Sequence, residues 1–175
     1  MQENNEISLE KTIKFYIYFA VANASIATLF IIPILLPRYK FPILITEWPG
    51  IYMVIAYFAF LFVAVFGSIG WATLYYIQLS LFKNKSTNKN LILFNMVLTN
   101  VGIYIFTIFM YWGGYIGADA SHQGIAIFVT GQIMEFSVIP VGLGISLIII
   151  GTIIGIIYGI AGFMTLIGGI LADKF

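Results

Sequence analysis

The chain has 175 residues, of which 61% are apolar and only 9% are charged. A water-soluble domain carries about 25% charged residues, so this composition argues against a soluble globular domain and predicts an integral membrane protein. The net charge of +1 gives no electrostatic case for a nucleic-acid partner, and the absence of cysteine excludes disulfides and thiolate metal sites.

Four apolar segments follow one another and predict an all-α integral membrane protein, a four-transmembrane-helix bundle that forms a single domain over residues 1–175. The predicted spans cover about 12–36, 51–82, 91–115 and a stretch within 124–171. Because one crossing needs about 20 residues, we expect the second and fourth helices to be unusually long. The first segment is longer than a signal-peptide core, so we interpret it as a retained helix.

The fourth segment is ambiguous, because 124–171 is longer than one crossing needs and contains a single charged residue, Glu135. Its only interruption is Pro140 with the nearby Gly142 and Gly144, and no polar loop is present there. We therefore expect one long, kinked helix whose first part lies outside the membrane or at its surface. A fifth span is the alternative.

Basic residues predict the orientation of the chain. The short loop 83–89 carries three lysines and no acid, which places it in the cytoplasm by the positive-inside rule. Four spans then place Lys11, Lys14 and Lys174 on the same side, whereas the opposite side has only the two basic residues of 37–40. We expect a multi-pass protein of the cell membrane with cytoplasmic N- and C-termini.

The pair Asp119 and His122 is the first candidate for chemistry, and His122 is the only histidine of the chain. On a helix, positions i and i+3 share a face, so the pair could supply two ligands to a copper or zinc site that another subunit completes. Two side chains do not close a metal site by themselves. The alternative is a polar external loop that caps the next helix.

Glu135 is the second candidate, because a carboxylate within lipid is costly and is a functional hypothesis by default. One interpretation is a proton relay. If the fourth helix begins outside the membrane, however, Glu135 would lie at the membrane surface or contact a partner. The sequence leaves both interpretations open.

Two sets of residues predict helix packing. Three amides fall inside spans and are interpreted as interhelical hydrogen-bond donors: Asn23, Asn95 and Asn100. Small residues also repeat along one face of the last helix and predict close approach of another helix: Gly151, Gly155, Gly159 and Gly162. The sequence does not tell whether that second helix belongs to this chain or to another subunit.

The order of features along the chain carries a family resemblance. The run 66–71 precedes the basic loop, the helix 95–114 contains Thr99-Asn100-Val101-Gly102, and glycines mark the helix 142–159. This order resembles one four-helix module of haem-copper oxidase subunit I. In that family the haem-ligand histidines lie near the start of the second helix, where this chain has no histidine at 48–53. The resemblance therefore implies that haem binding has been lost.

The resemblance implies an oxidase-like accessory subunit of an archaeal membrane complex, with ammonia monooxygenase among the candidates. We therefore expect a non-catalytic transmembrane subunit of a multi-subunit membrane oxidoreductase, with other transmembrane subunits and lipid as partners. We expect no cofactor in this chain alone; copper or haem would belong to partner subunits. The alternatives are a small transporter or proton-conducting protein that uses Glu135, and a subunit that shares a metal site through Asp119 and His122.

Overall fold

The computed structural model describes residues 2–35, 48–80 and 89–172, and within them the side chains of 10–32, 48–78, 80 and 90–157. The described residues form helices and turns. The helices are α1 (Gln2–Leu35), α2 (Ile51–Phe60), a π-helical segment (Leu61–Phe66), α3 (Gly67–Ser80), α4 (Lys89–His122) and α5 (Ile127–Ala172). The loop residues 83–88 and Lys174, on which part of the predicted orientation rests, lie outside the described residues.

Within the described ranges, four helices are long and apolar enough to cross a membrane, which confirms the expected number of long apolar helices. Their apolar spans are Glu10–Ile32, Ile51–Gln78, Asn90–His122 and Ile127–Ile157. The second of these runs without interruption through α2, the π-helical segment and α3. With 46 residues α5 is the longest of the described helices, and the second helix, Ile51–Ser80, is also longer than the about 20 residues that one crossing needs. α1 and α4 have 34 residues each and are therefore long as well.

The fourth apolar segment forms one continuous helix, α5, which contains Pro140. A tight turn separates it from α4. Gly124 adopts a positive φ of 80°, its N–H donates to the Ser121 carbonyl, and the Ile125 N–H donates to the Ala120 carbonyl. These are the two hydrogen bonds of a Schellman motif, in which glycine satisfies the helix end because it tolerates left-handed backbone.

α4 continues about two turns beyond Tyr115, where the sequence analysis ended the third segment. The glycines after Trp112 are contact positions rather than helix breakers. A Cβ at Gly113 would lie 2.7 Å from Ser137 Oγ, and one at Gly117 would lie 2.6 Å from Pro49 Cγ. The missing side chains therefore let α4 pass closely between α5 and the start of α2.

α4 lies at the centre of the bundle and packs against α1, α2, the π-helical segment and α5. α5 packs mainly on α4, with a smaller contact to α3. Asn95 hydrogen-bonds both to Tyr16 of α1 and to Gly151 of α5. The N-terminal half of α1, the start of α4 and the C-terminal half of α5 therefore lie towards the same end of the bundle.

Candidate functional site

The first polar cluster inside the bundle joins three helices around Asn95. The Tyr16 hydroxyl donates to the Ile92 carbonyl at 2.9 Å and also contacts Asn95 Oδ1. Asn95 Nδ2 donates to the Gly151 carbonyl at 2.7 Å. Both Tyr16 and Asn95 are fully buried, so these bonds link α1, α4 and α5 inside an apolar environment.

The second cluster centres on Asn23, which is also fully buried. Asn23 Nδ2 donates to the Ala64 carbonyl and to Asn100 Oδ1, both at 2.9 Å, and Asn23 Oδ1 accepts from the Tyr104 hydroxyl at 2.6 Å. Ala64 belongs to the π-helical segment, where the wider turn disturbs the regular bonding of carbonyls. The amide of Asn23 therefore donates a hydrogen bond to a backbone carbonyl of the π-helical segment.

The hydrogen bonds confirm the predicted role as interhelical donor for two of the three amides. Asn23 and Asn95 donate between helices, whereas Asn100 donates to Met96 within α4 and accepts from Asn23. Asn100 is thus an interhelical acceptor, not a donor as predicted. The partner hydroxyls of Tyr16 and Tyr104 were not predicted, because their pairing depends on the relative register of the helices.

Close glycine contacts hold α4 against α5. A Cβ at Gly102 would lie 2.7 Å from the Gly144 carbonyl oxygen, and one at Gly151 would lie 2.6 Å from Thr99 Oγ1. A Cβ at Gly155 would meet Asn95 Nδ2 at 2.6 Å. Gly151 and Gly155 therefore pack against helices of this chain.

The remaining two glycines of the predicted packing face, Gly159 and Gly162, lie where the structure describes only the helical backbone of α5. The contact between Gly102 and Gly144 has no counterpart in the sequence analysis, since nothing local shows that these two residues meet.

α4 and α5 are each longer than the hydrocarbon layer of a membrane is thick. The 34 residues of α4 span about 51 Å, against a hydrocarbon layer of about 30 Å. An exposed ion pair between Lys14 and Glu10, 2.8 Å apart, marks one end of the apolar region, near the level of Ile92. One crossing takes about 20 helical residues, so along α4 the hydrocarbon layer that begins near Ile92 would end near the exposed ring of Trp112.

We call the part of α4 and α5 beyond this level, residues 113–134, the hairpin tip. It contains Asp119 and His122, which both lie in the last turns of α4 rather than in a loop. Asp119 Oδ2 accepts a hydrogen bond from Gln123 Nε2 at 2.8 Å, and His122 is exposed. Within the described part of the chain, no group of three or more His, Asp or Glu residues is close enough to hold a metal ion. A metal at Asp119 and His122 would therefore need further ligands.

Glu135 directly follows the hairpin tip in the sequence and points away from the bundle. Its neighbours Met134 and Ser137 face Gly117 and Gly113 of α4, whereas the Glu135 side chain is exposed. Among the described side chains Glu135 has no basic partner within salt-bridge distance. It therefore lies near the expected membrane surface, on the outside of the helix bundle.

A cavity of about 370 Å³ opens beside the hairpin tip, between the start of α2 and the first turns of α5. Its lining is mostly apolar and includes Trp48, Tyr52, Met110, Met134 and Val138. The hydroxyl of Ser137, which also lines it, donates to the Met134 carbonyl at 2.7 Å. Neither Asp119, His122 nor Glu135 lines this cavity, so it and the charged residues are separate features.

Comparison of the chain with protein families, with curated proteins and with solved structures found no match.

Proposed function

We propose that this chain is a non-catalytic transmembrane subunit of a multi-subunit membrane oxidoreductase, of the terminal-oxidase or archaeal ammonia monooxygenase kind. Its four apolar helices would lie in the cell membrane, with both termini in the cytoplasm. Its role would be to pack against and position other transmembrane subunits. The class of the complex comes from the family resemblance of the sequence, and the role as a subunit comes from the surface of the hairpin tip.

The single observation that carries the role as a subunit is the apolar surface of the first turn of α5. Ile127 and Phe128 are 73% and 74% exposed, although they lie beyond the level of Trp112, where the hydrocarbon would end. Large apolar side chains in contact with water are unfavourable, and adjacent ones typically mark a protein interface. A partner that covers this turn would remove Ile127 and Phe128 from contact with water.

The use of the buried polar groups supports the same conclusion. Asn23, Asn95 and Asn100 all form hydrogen bonds within the bundle, and both linked tyrosines are committed to them. These groups hold helices together, as amides in membrane proteins commonly do. Their arrangement favours a structural role for the interior.

The two alternatives have less support from the geometry. A proton path through this bundle would use an ionisable residue that faces the interior, whereas Glu135 is exposed on the outside. A shared metal site at Asp119 and His122 stays a hypothesis that needs ligands from a partner. The purification experiment described next distinguishes both alternatives from our proposal.

The test is purification of the tagged chain from native membranes in mild detergent, followed by identification of copurified proteins and by metal and haem analysis. We expect oxidoreductase subunits in constant ratio to the chain, with metal and haem in proportion to those subunits. Purification of the chain alone, as a stable species that moves a solute or protons in vesicles, would refute the proposal.

A further inference from the structure

We propose that the outer face of α5, formed by Phe128, Glu135, Gly142 and Ser146, binds a transmembrane helix of a different subunit that carries a lysine or arginine at the level of Glu135. This inference rests on the proposed function and adds to it the surface and the chemistry of the partner. All four residues are exposed in the structure.

Helical periodicity places these residues together and away from the bundle. Glu135 precedes Gly144 by nine residues, or about two and a half turns, so it lies on the side of α5 opposite to Gly144. Gly144 contacts Gly102 and Phe106 of α4. Phe128 lies about two turns before Glu135 and Gly142 about two turns after it. Ser146 follows Gly142 by about one turn, so all four residues lie on the same face of α5.

The backbone is open to close approach at the middle of this face. A Cβ added at Gly142 would meet nothing within 4 Å, in contrast to the glycines that face α4. The Ser146 hydroxyl is turned back onto the Gly142 carbonyl at 2.9 Å and therefore leaves a low surface. Small residues at this spacing let a second helix approach the backbone closely.

The charge of Glu135 selects the kind of partner. A second copy of this chain, packed on the same face about a twofold axis normal to the membrane, would bring two Glu135 carboxylates to the same depth, where they repel each other. A lysine or arginine near the end of a partner helix would instead pair with the carboxylate at the membrane surface. The chemistry therefore favours a heteromeric contact over a homodimer.

Site-specific crosslinking tests this contact, because the chain has no cysteine of its own. Ser146→Cys, labelled with a thiol-reactive photocrosslinker in native membranes, is compared with Ser25→Cys. Ser25 is a matched control: it is exposed on α1, its hydroxyl bonds to the Val21 carbonyl in the same way, and it lies close to Asn23, at the level of Asn100. Crosslinked peptides are identified by mass spectrometry.

We expect Ser146→Cys to crosslink to an apolar segment of a different chain that contains a lysine or arginine, and Ser25→Cys to give at least about tenfold less of this adduct. Crosslinks to a second copy, to lipid alone, or equally from both positions would overturn the inference. If oxidoreductase subunits still copurify in that case, only the binding face is wrong. If no subunit copurifies, the proposed function itself fails.

A charge reversal gives the second measurement. Glu135→Lys should lower the amount of partner recovered per chain by about tenfold, since it opposes two like charges at a buried contact. Glu135→Asp should retain the partner, and exchange of the partner's basic residue for glutamate should restore recovery with Glu135→Lys. Recovery that is equal for Glu135→Lys and the unchanged chain, at equal amounts in the membrane, would contradict the pairing.

Discussion

The side chain of Asn23 forms three hydrogen bonds in the bundle interior. Its amide bonds to Ala64, Asn100 and Tyr104, which belong to the π-helical segment and α4. The sequence predicts the role of such an amide, because a buried amide in an apolar span needs partners. It does not predict the partners, since they depend on how α1 is placed relative to α4.

Asn23→Ala should destabilise the bundle, because it leaves the Ala64 carbonyl and Asn100 Oδ1 without their donor. We expect a loss of about 1–2 kcal/mol in the free energy of unfolding, given the usual strength of interhelical hydrogen bonds in membranes. Detergent-induced unfolding followed by circular dichroism measures the change. Ser25→Ala is the control, since Ser25 bonds only within α1, and an equal loss in both variants would contradict the account.

At the scale of elements, the contact between α4 and α5 is set by glycines that meet across the two helices. Local signals in the sequence could have located the end of α4: His122 lies in its last turn and Gly124 follows at the position that a Schellman motif requires. The third predicted span ends earlier, at Tyr115, beside Gly113, Gly114 and Gly117. Whether a glycine breaks a helix or packs against a neighbour depends on a contact distant in sequence.

The sequence also did not predict the π-helical segment Leu61–Phe66. It has no proline, glycine or polar residue, so hydropathy and spacing do not distinguish it from regular helix. The Gly67 N–H donates to the Phe62 carbonyl, the longer-range bond that defines the widened turn. Its place beside Asn23 becomes visible only in three dimensions.

Gly102→Ala should disrupt the packing of α4 on α5. The added Cβ would lie 2.7 Å from the Gly144 carbonyl oxygen and 2.9 Å from the Ile148 nitrogen, which are backbone atoms that cannot move alone. We expect a destabilisation of about 1–3 kcal/mol, the usual range for overpacking. The same unfolding experiment measures it.

Gly70→Ala is the matched control for this variant, because a Cβ at Gly70 would meet nothing within 4 Å. It should leave stability unchanged or raise it slightly, since alanine favours helix over glycine. A Gly102→Ala variant as stable as Gly70→Ala would show that the two helices do not meet at Gly144.

For the whole molecule, composition and hydropathy were enough to predict four long apolar helices. A molecular surface with so few charged residues is stable only when it faces lipid. The relative register of the helices, the outward direction of Glu135 and the exposed turn at Ile127 could not be predicted. These features follow from contacts such as Gly117 with Met134, which join residues far apart in the chain.

The orientation of the molecule can be measured with single cysteines. In the proposed orientation, four crossings would place Ser86 in the cytoplasm and Ser121, near the end of α4, outside. In intact cells a membrane-impermeant thiol reagent should label Ser121→Cys and leave Ser86→Cys unlabelled until the cells are opened. Labelling of position 86 from outside would reverse the orientation and move Asp119 and His122 to the cytoplasmic side.

The native mass of the chain in detergent shows whether it works within a larger membrane complex. We expect the chain, extracted from native membranes in mild detergent, to migrate on native gels far above its own 19.5 kDa and together with oxidoreductase subunits. Migration as a single chain, or as an assembly of this chain alone, would contradict the account.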